Sequence, residues 1–299
     1  MDNSSGPKGK AIPIDWGKIP WWVVIIVMVL LAVIPAVYFD PSYSDTFAFL
    51  SGYTVYLARG AVVGVILTLM ITFTAYAITL VIGLTAGLAR VSKNPIIYNI
   101  ATLYVEVARG IPMLVLLLYV SFVAVPKSID LMNSLGQAML TWSWLPSFVT
   151  PVAQALSDYS IRNVSEVARG IIGLAIGYGA FSAEIFRSGI ESIEKGQMEA
   201  ARSLGMSYPQ AMRHVILPQA VRRILPPLGN DFIALLKDSS LVSALSVQEL
   251  TMLGRQNVAR TFRTFETWNM VALLYLMMTF ALSYLIREFE RRMSLEHKR

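Results

Sequence analysis

Asp231, Lys237 and Asp238 interrupt residues 226–247, a stretch that is otherwise apolar enough to lie in a membrane. Ionisable side chains in such a setting are costly, and they mark a path or a site. Asp231 and Asp238 are seven residues apart, which on a helix places them on one face, about 10 Å from each other. Asn230 adjoins the first acid. Pro226, Pro227 and Gly229 predict an irregular helix start, where free backbone groups could meet a zwitterion. The alternative is that Lys237 and Asp238 neutralise one another or a neighbouring span. Glu184 and Glu106 are further candidates near the ends of apolar runs, where Arg187 and Arg109 stand close enough to pair with them. Groups of this kind hold a small charged solute. Catalysis lacks its parts: there is no cysteine, and His214 and His297 are the two histidines. Disulfides, iron–sulfur clusters and thiol chemistry are therefore excluded, and no metal site or catalytic residue is expected.

These residues must be positioned by membrane helices. The chain has 299 residues, 55% hydrophobic and 15% charged, where soluble domains carry about 25% charge. The apolar residues come in runs rather than stripes, and a span needs about 20 of them. Residues 21–39, 61–89, 103–125, 171–186, 226–247 and 268–286 qualify, which predicts six spans in an all-α integral membrane protein. The first run is long and no small-x-small site follows it, so it reads as a span and not as a cleaved leader. The net charge of +6 raises nucleic acid as a partner. Instead, most of the 25 Lys and Arg residues fall on one side of this six-span arrangement, as cytoplasmic loops do, and no nucleic acid is expected. Both termini are then cytoplasmic, with residues 1–20 and 291–299 as tails.

Gly83-x-x-x-Gly87 and Gly173-x-x-x-Gly177 would let helix backbones approach closely inside the bilayer. Residues 127–167 fall outside and contain Trp142, Trp144, Pro146 and Pro151, which suggests a structure lying along the outer interface. The pentapeptide Glu106-Val-Ala-Arg-Gly110 recurs as Glu166-Val-Ala-Arg-Gly170. Similarity fades beyond it, so the two read as interfacial helix entries or as chance.

Between two spans, on the inside, runs "QMEAARSLGMSYPQAMRHVILPQ", residues 197–219. Its charges and prolines forbid a span. Ala200 and Ala201 leave a nearly bare backbone for another protein's groove. Gly205 can end a helix in the left-handed conformation. Ser207 and Pro209 suit the start of a second helix, and Leu217-Pro218 would stop it. A compact helix–turn–helix of this kind is suited to docking.

Glu199-Ala200-Ala201-x-x-x-Gly205, then nine residues, then Val215-Ile216-Leu217-Pro218, resembles the EAA loop of ABC importer permeases, with Val215 in place of the usual isoleucine. Gly64-x-x-x-Thr68, "YVEVARGIPMLVLLLY", "AEIFRSGIESIEKGQMEAARSLG" and "LPQAVRRILPPLGNDFIALLKDSSL" narrow the similarity to polar amino-acid permeases, over roughly residues 60–125 and 170–290. The resemblance implies the type I importer fold, with residues 61–290 as permease core, 127–167 as an external insertion and 188–223 as the cytoplasmic EAA loop. It implies that Glu199, Ala200, Ala201, Gly205, Leu217 and Pro218 couple the permease to an ATPase, and that Asp231, Asp238, Asn230, Lys237 and Glu184 are candidates for the amino acid. Asp231 stands where the family usually has Glu, one methylene longer. The chain lacks G-x-x-x-x-G-K-[ST], so ATP and Mg belong to a partner ATPase dimer and this chain needs no cofactor of its own. The other implied partners are a second permease copy or a paralogue, an extracytoplasmic amino-acid-binding protein and the lipid of a bacterial inner membrane. Permeation of another small polar solute, and a self-sufficient channel or secondary transporter with an idle loop, stay open as alternatives.

Overall fold

The structure is a computed structural model, and it describes residues 28, 31, 35, 39–51, 63–142, 144 and 146–295. The first expected span, residues 21–39, lies outside the described residues but for four positions. In chain order the helices are α1 (Pro41–Leu50), α2 (Gly64–Arg90), α3 (Pro95–Gly110), α4 (Met113–Tyr119), α5 (Val125–Leu140), α6 (Thr150–Ser157), α7 (Glu166–Glu191), α8 (Lys195–Ser203), α9 (Tyr208–Ala211), α10 (Leu217–Asp238), α11 (Leu250–Thr261) and α12 (Thr264–Leu295). No strand occurs among the described residues, so the fold is all-α.

Gly64–Arg90, Met113–Leu140 and Thr264–Arg292 are long and apolar enough to cross a membrane. Helix α7 is of similar length, 26 residues, about 39 Å at 1.5 Å per residue. Its sequence is rich in Gly, Ala and Ser because it is the central helix, packed against α2, α3, α4 and α10. Small residues bring those neighbours close. A Cβ added at Gly83 would lie 2.6 Å from the Cβ of Ser182 and 3.2 Å from its carbonyl carbon; one at Gly87 would lie 2.7 Å from the Cβ of Phe186. The second glycine pair meets α4: Gly173 faces Leu117 and Gly177 faces Met113, each with 2.7 Å to an added Cβ. Both motifs mark real contacts. The main apolar core fills the space between these helices with Leu67, Ile71, Leu117, Leu174, Leu235 and Val242.

Prolines account for the departures from the expected spans. The run 103–125 is not one helix, because Ile111 ahead of Pro112 is extended (φ −101°, ψ 134°) and separates α3 from α4. Between α4 and α5 the chain stays helical through a π turn, Val120–Ala124, where the Val125 N–H reaches the Val120 carbonyl. Pro126 follows two residues later. The same arrangement joins α9 to α10: a π turn at Met212–Ile216, the Leu217 N–H on the Met212 carbonyl, then Pro218. A proline ring collides with the carbonyl four residues back, and the wider π turn moves that carbonyl aside. Leu217-Pro218 therefore does not stop the helix. Helix α10 also runs through Pro226 and Pro227, so it begins at Leu217 and not in an irregular turn at Pro226.

The two copies of the pentapeptide differ in role. Glu166–Gly170 opens α7, with Ser165 as its cap, whereas Glu106–Gly110 closes α3. The expected external insertion forms a helical hairpin, α5 against α6, with Gly136 so close that an added Cβ would meet the Ser157 nitrogen at 2.5 Å. Trp142 and Trp144 stack at its tip, with ring centroids 5.3 Å apart.

At the end of the bundle where α2 begins, one buried acid ties three helices together, and sequence reasoning did not find it. Glu249 is fully buried. It caps α11 through the Thr251 and Met252 N–H groups (2.9 and 2.8 Å) and accepts from the Tyr275 hydroxyl of α12 at 2.8 Å. Its neighbours hold α2: Gly64 N–H donates to the Gln248 carbonyl at 2.9 Å, and Leu250 N–H to Thr68 Oγ1 at 3.1 Å. Burial pushes the Glu249 carboxyl above the usual carboxylate range, against the opposing effect of its hydrogen bonds. The stabilisation it contributes therefore falls as pH rises through that elevated pKa.

Candidate substrate site and coupling segment

Helix α10 presents its two acids to α7. Tyr178 donates its hydroxyl hydrogen bond to Asp238 Oδ2 at 2.8 Å, and Ser182, one turn further on, donates to Asp231 Oδ2 at 2.7 Å. Among the described residues neither acid forms an ion pair, so both are held by neutral donors. Lys237 is exposed and makes no ion pair with Asp238, which removes mutual neutralisation as the account of that acid. Asn230 is exposed as well. Tyr76 of α2 closes the lower side: its hydroxyl donates to the Leu228 carbonyl at 2.7 Å, and its ring stacks on Phe232 with centroids 4.2 Å apart. A carboxylate has about four acceptor positions, so each acid keeps capacity for a further donor such as an ammonium group.

Glu184 belongs to a different cluster. Arg90 Nη1 lies 2.6 Å from Glu184 Oε2 and its Nη2 3.8 Å from Glu106 Oε1, while Arg187 pairs with both Glu184 and Glu191. The Arg90 side chain is 9% exposed. A buried arginine needs such partners, so Glu184 is engaged in joining α7 to the end of α2. Of the five candidates, the fold brings together Asp231 and Asp238. Tyr178, Ser182, Tyr76 and Arg90 complete the two clusters and were not singled out in the sequence. The one available signal was two polar residues a helical turn apart, Tyr178 and Ser182, in a helix of small residues.

The segment expected to couple folds as a hairpin of α8 and α9. Gly205 has φ +83°, the left-handed region. Met206 N–H reaches the Ala201 carbonyl at 3.2 Å and Gly205 N–H the Arg202 carbonyl at 3.0 Å, which closes α8. Ser207 N–H donates to Gln210 Oε1 at 2.8 Å at the start of α9. The two alanines do not face the same way. Ala200 is exposed, but Ala201 is turned into the hairpin's own packing, 4% exposed. Leu204, 82% exposed, and Glu199 are on the outward surface as well. Leu217 and Pro218 are exposed at the start of α10.

Residues 79–295 match the family described as the inner membrane component of binding-protein-dependent transport systems. The chain belongs to that family. This transport component is 36% identical over 232 residues to the glutamine transport system permease protein GlnP of Escherichia coli (strain K12), covering 78% of this chain and 92% of that one. It is 32% identical over 219 residues to the nopaline transport system permease protein NocM of Agrobacterium fabrum, covering 73% and 81%. A crystal structure of an amino acid ABC transporter with histidines superposes with TM-score 0.60 at 35% identity, covering 82% of this chain and 98% of that chain. The MetNI methionine ABC transporter in an inward-facing conformation superposes with TM-score 0.54 at 21% identity, over 76% and 93%, which extends the likeness in fold. The transport component is a multi-pass membrane protein with the type I importer permease fold.

Proposed function

We propose that this chain is the permease subunit of an ATP-driven importer of polar amino acids. The observation that carries the reading is the pair Asp231 and Asp238, each held by a neutral donor of α7 and each with acceptor capacity left. The names of the relatives, glutamine and nopaline permeases, support the substrate class. In this reading ATP is hydrolysed by a separate ATPase dimer that receives the α8–α9 hairpin, with Ala200, Leu204 and Glu199 on the docking surface. A second permease copy or a paralogue completes the path, a binding protein delivers the amino acid from outside, and movement between inward- and outward-open states carries it across.

Uptake by the assembled complex in proteoliposomes, screened across amino acids, tests the site. Asp238→Asn retains the ATPase and lowers uptake at least tenfold, equivalent to about 1.4 kcal/mol. Tyr178→Phe leaves the carboxylate in place and lowers uptake less. Normal uptake in Asp238→Asn, or its restoration by Lys237→Met combined with Asp238→Leu, would take Asp238 off the site.

Orientation is tested on the naturally cysteine-free chain. With both termini inside, Ser44→Cys and Asn133→Cys react with an impermeant maleimide from outside, and Ser203→Cys reacts only after permeabilisation. Labelling of Ser203→Cys in sealed cells would invert the arrangement.

A further inference from the structure

The end of the bundle that carries α1 and α11 holds a pocket of about 600 Å³, lined by Asp45, Thr46, Phe49, Asn257, Arg260 and Arg263. Neither the transport path nor the coupling hairpin uses it. Its floor is fixed: Asn257, 2% exposed, donates to Thr267 Oγ1 at 2.8 Å and lies 3.5 Å from Thr46 Oγ1. The two arginines are only loosely engaged. Arg260 lies 4.5 Å over the Phe49 ring and reaches Asn257 Oδ1 at 3.4 Å. Arg263 Nη1 is 3.4 Å from the Ser42 carbonyl and 3.4 Å from Asp45 Oδ2. A guanidinium carries five N–H donors, so among the described residues most of this donor capacity meets no acceptor.

The pocket's height in the membrane follows from its walls. Helix α1 directly follows the expected first span, and Arg263 directly precedes α12, a helix that crosses. Both walls are therefore at the level where a bilayer places its headgroups. Aromatic side chains rim this level: Phe39, Phe262 and Phe265 are 80%, 85% and 72% exposed. Aromatic residues at span ends favour the membrane interface. Phe262 also has φ +57°, a left-handed conformation that costs a bulky residue about 1–2 kcal/mol. The chain turns there in a way that would suit glycine, yet presents a benzyl group outward.

We propose that this pocket binds the phosphodiester headgroup of an anionic glycerophospholipid, with Arg260 and Arg263 on the phosphate and Phe262 and Phe265 beside the glycerol and upper acyl carbons. The lining carries two cations and one anion, so a headgroup of net charge −1 neutralises it, and Asp45 is already turned to Arg263. A zwitterionic lipid would leave the pocket charged. The inference rests on the orientation proposed above for one point, that the outer leaflet supplies the lipid.

Native mass spectrometry of the full-length permease, mixed with phosphatidylglycerol, phosphatidylethanolamine or inorganic phosphate, tests it without any measurement of transport. The wild-type chain should retain phosphatidylglycerol over phosphatidylethanolamine, and excess inorganic phosphate should not displace it. Each of Arg260→Gln and Arg263→Gln should lower retention about fivefold. Asp45→Asn should leave retention equal or higher. Phe262→Ser changes an exposed position and should lower retention in a chain whose folding does not depend on the arginines. Equal retention of the two lipids, or unchanged retention in the double arginine variant, would overturn the proposal. Displacement by inorganic phosphate would make the pocket a free-anion site. Unchanged lipid retention with lost capture of the binding protein would make it a docking surface. Because lipid retention is read independently, a failure here leaves the transport reading standing, and the reverse also holds.

Discussion

Gly205→Val should lower both uptake and retention of the ATPase subunit on the purified permease by roughly five- to 150-fold. The cause is conformational rather than steric. A Cβ at position 205 meets nothing within 4 Å, but the backbone there has φ +83°. Valine in that region costs about 1–3 kcal/mol, enough to weaken docking roughly five- to 150-fold if the hairpin must regain its shape to bind. The alternative is that the turn reopens, which loses the Met206 to Ala201 and Gly205 to Arg202 hydrogen bonds and re-aims α9. Gly205→Asn is the control, because asparagine tolerates the left-handed region, and it should keep most of the retention. Full retention and normal uptake in Gly205→Val would return the hairpin to the status of a connecting loop.

Gly83→Leu combined with Gly87→Leu should leave no folded permease. An added Cβ at these positions falls 2.6 Å from the Ser182 Cβ and 2.9 Å from the Ala183 carbonyl oxygen. The obstacle includes main chain, which cannot rotate away as a side-chain tip can. Overpacking a tight site costs about 1–3 kcal/mol and sometimes more, and two such sites on one seam exceed what a marginally stable fold tolerates. Size-exclusion chromatography and thermal melting in detergent give the readout. Gly196→Ala, where an added Cβ meets nothing within 4 Å, should behave as the unmodified chain. A monodisperse, normally melting double leucine variant would show that α2 and α7 do not meet there.

Local signals in the sequence located what depends on local geometry. Gly205, Ser207 and Pro209 mark a helix end and a helix start because their conformational preferences act over two or three residues. The glycine pairs mark close contacts because only small residues allow them. What depends on three-dimensional neighbours was not legible. Nothing near Asp231 and Asp238 in sequence identifies Tyr178 and Ser182, which lie 60 and 49 residues away. Ala200 and Ala201 are alike as residues, and which one faces outward is decided by packing of α8 against α9 and the π turn that follows it. Proline misled twice, at Pro218 and Pro226, because a helix can absorb it: a widened turn precedes Pro218, and α10 runs on through Pro226 and Pro227. Glu249 stood between apolar runs as an ordinary loop acid. Its burial comes from Tyr275 and the start of α2, distant in the chain.

The glycine seam between α2 and α7 acts as a keyway. Gly83 and Gly87 leave a slot just wide enough for Ser182, Ala183 and Phe186 at their backbones. A slip of either helix by one residue, about 1.5 Å, would bring the flanking Ile82 and Leu84 toward that slot, where neither fits. Sliding is therefore barred, and the two helices can turn only as one plate. The contact between α10 and α12 is built otherwise: at Gly229 the obstacle is the Ile286 Cγ2, a side-chain end that a change of rotamer withdraws. The more yielding of the two seams is thus the one beside α10, the helix that carries Asp231 and Asp238 at one end and joins the α8–α9 hairpin at the other.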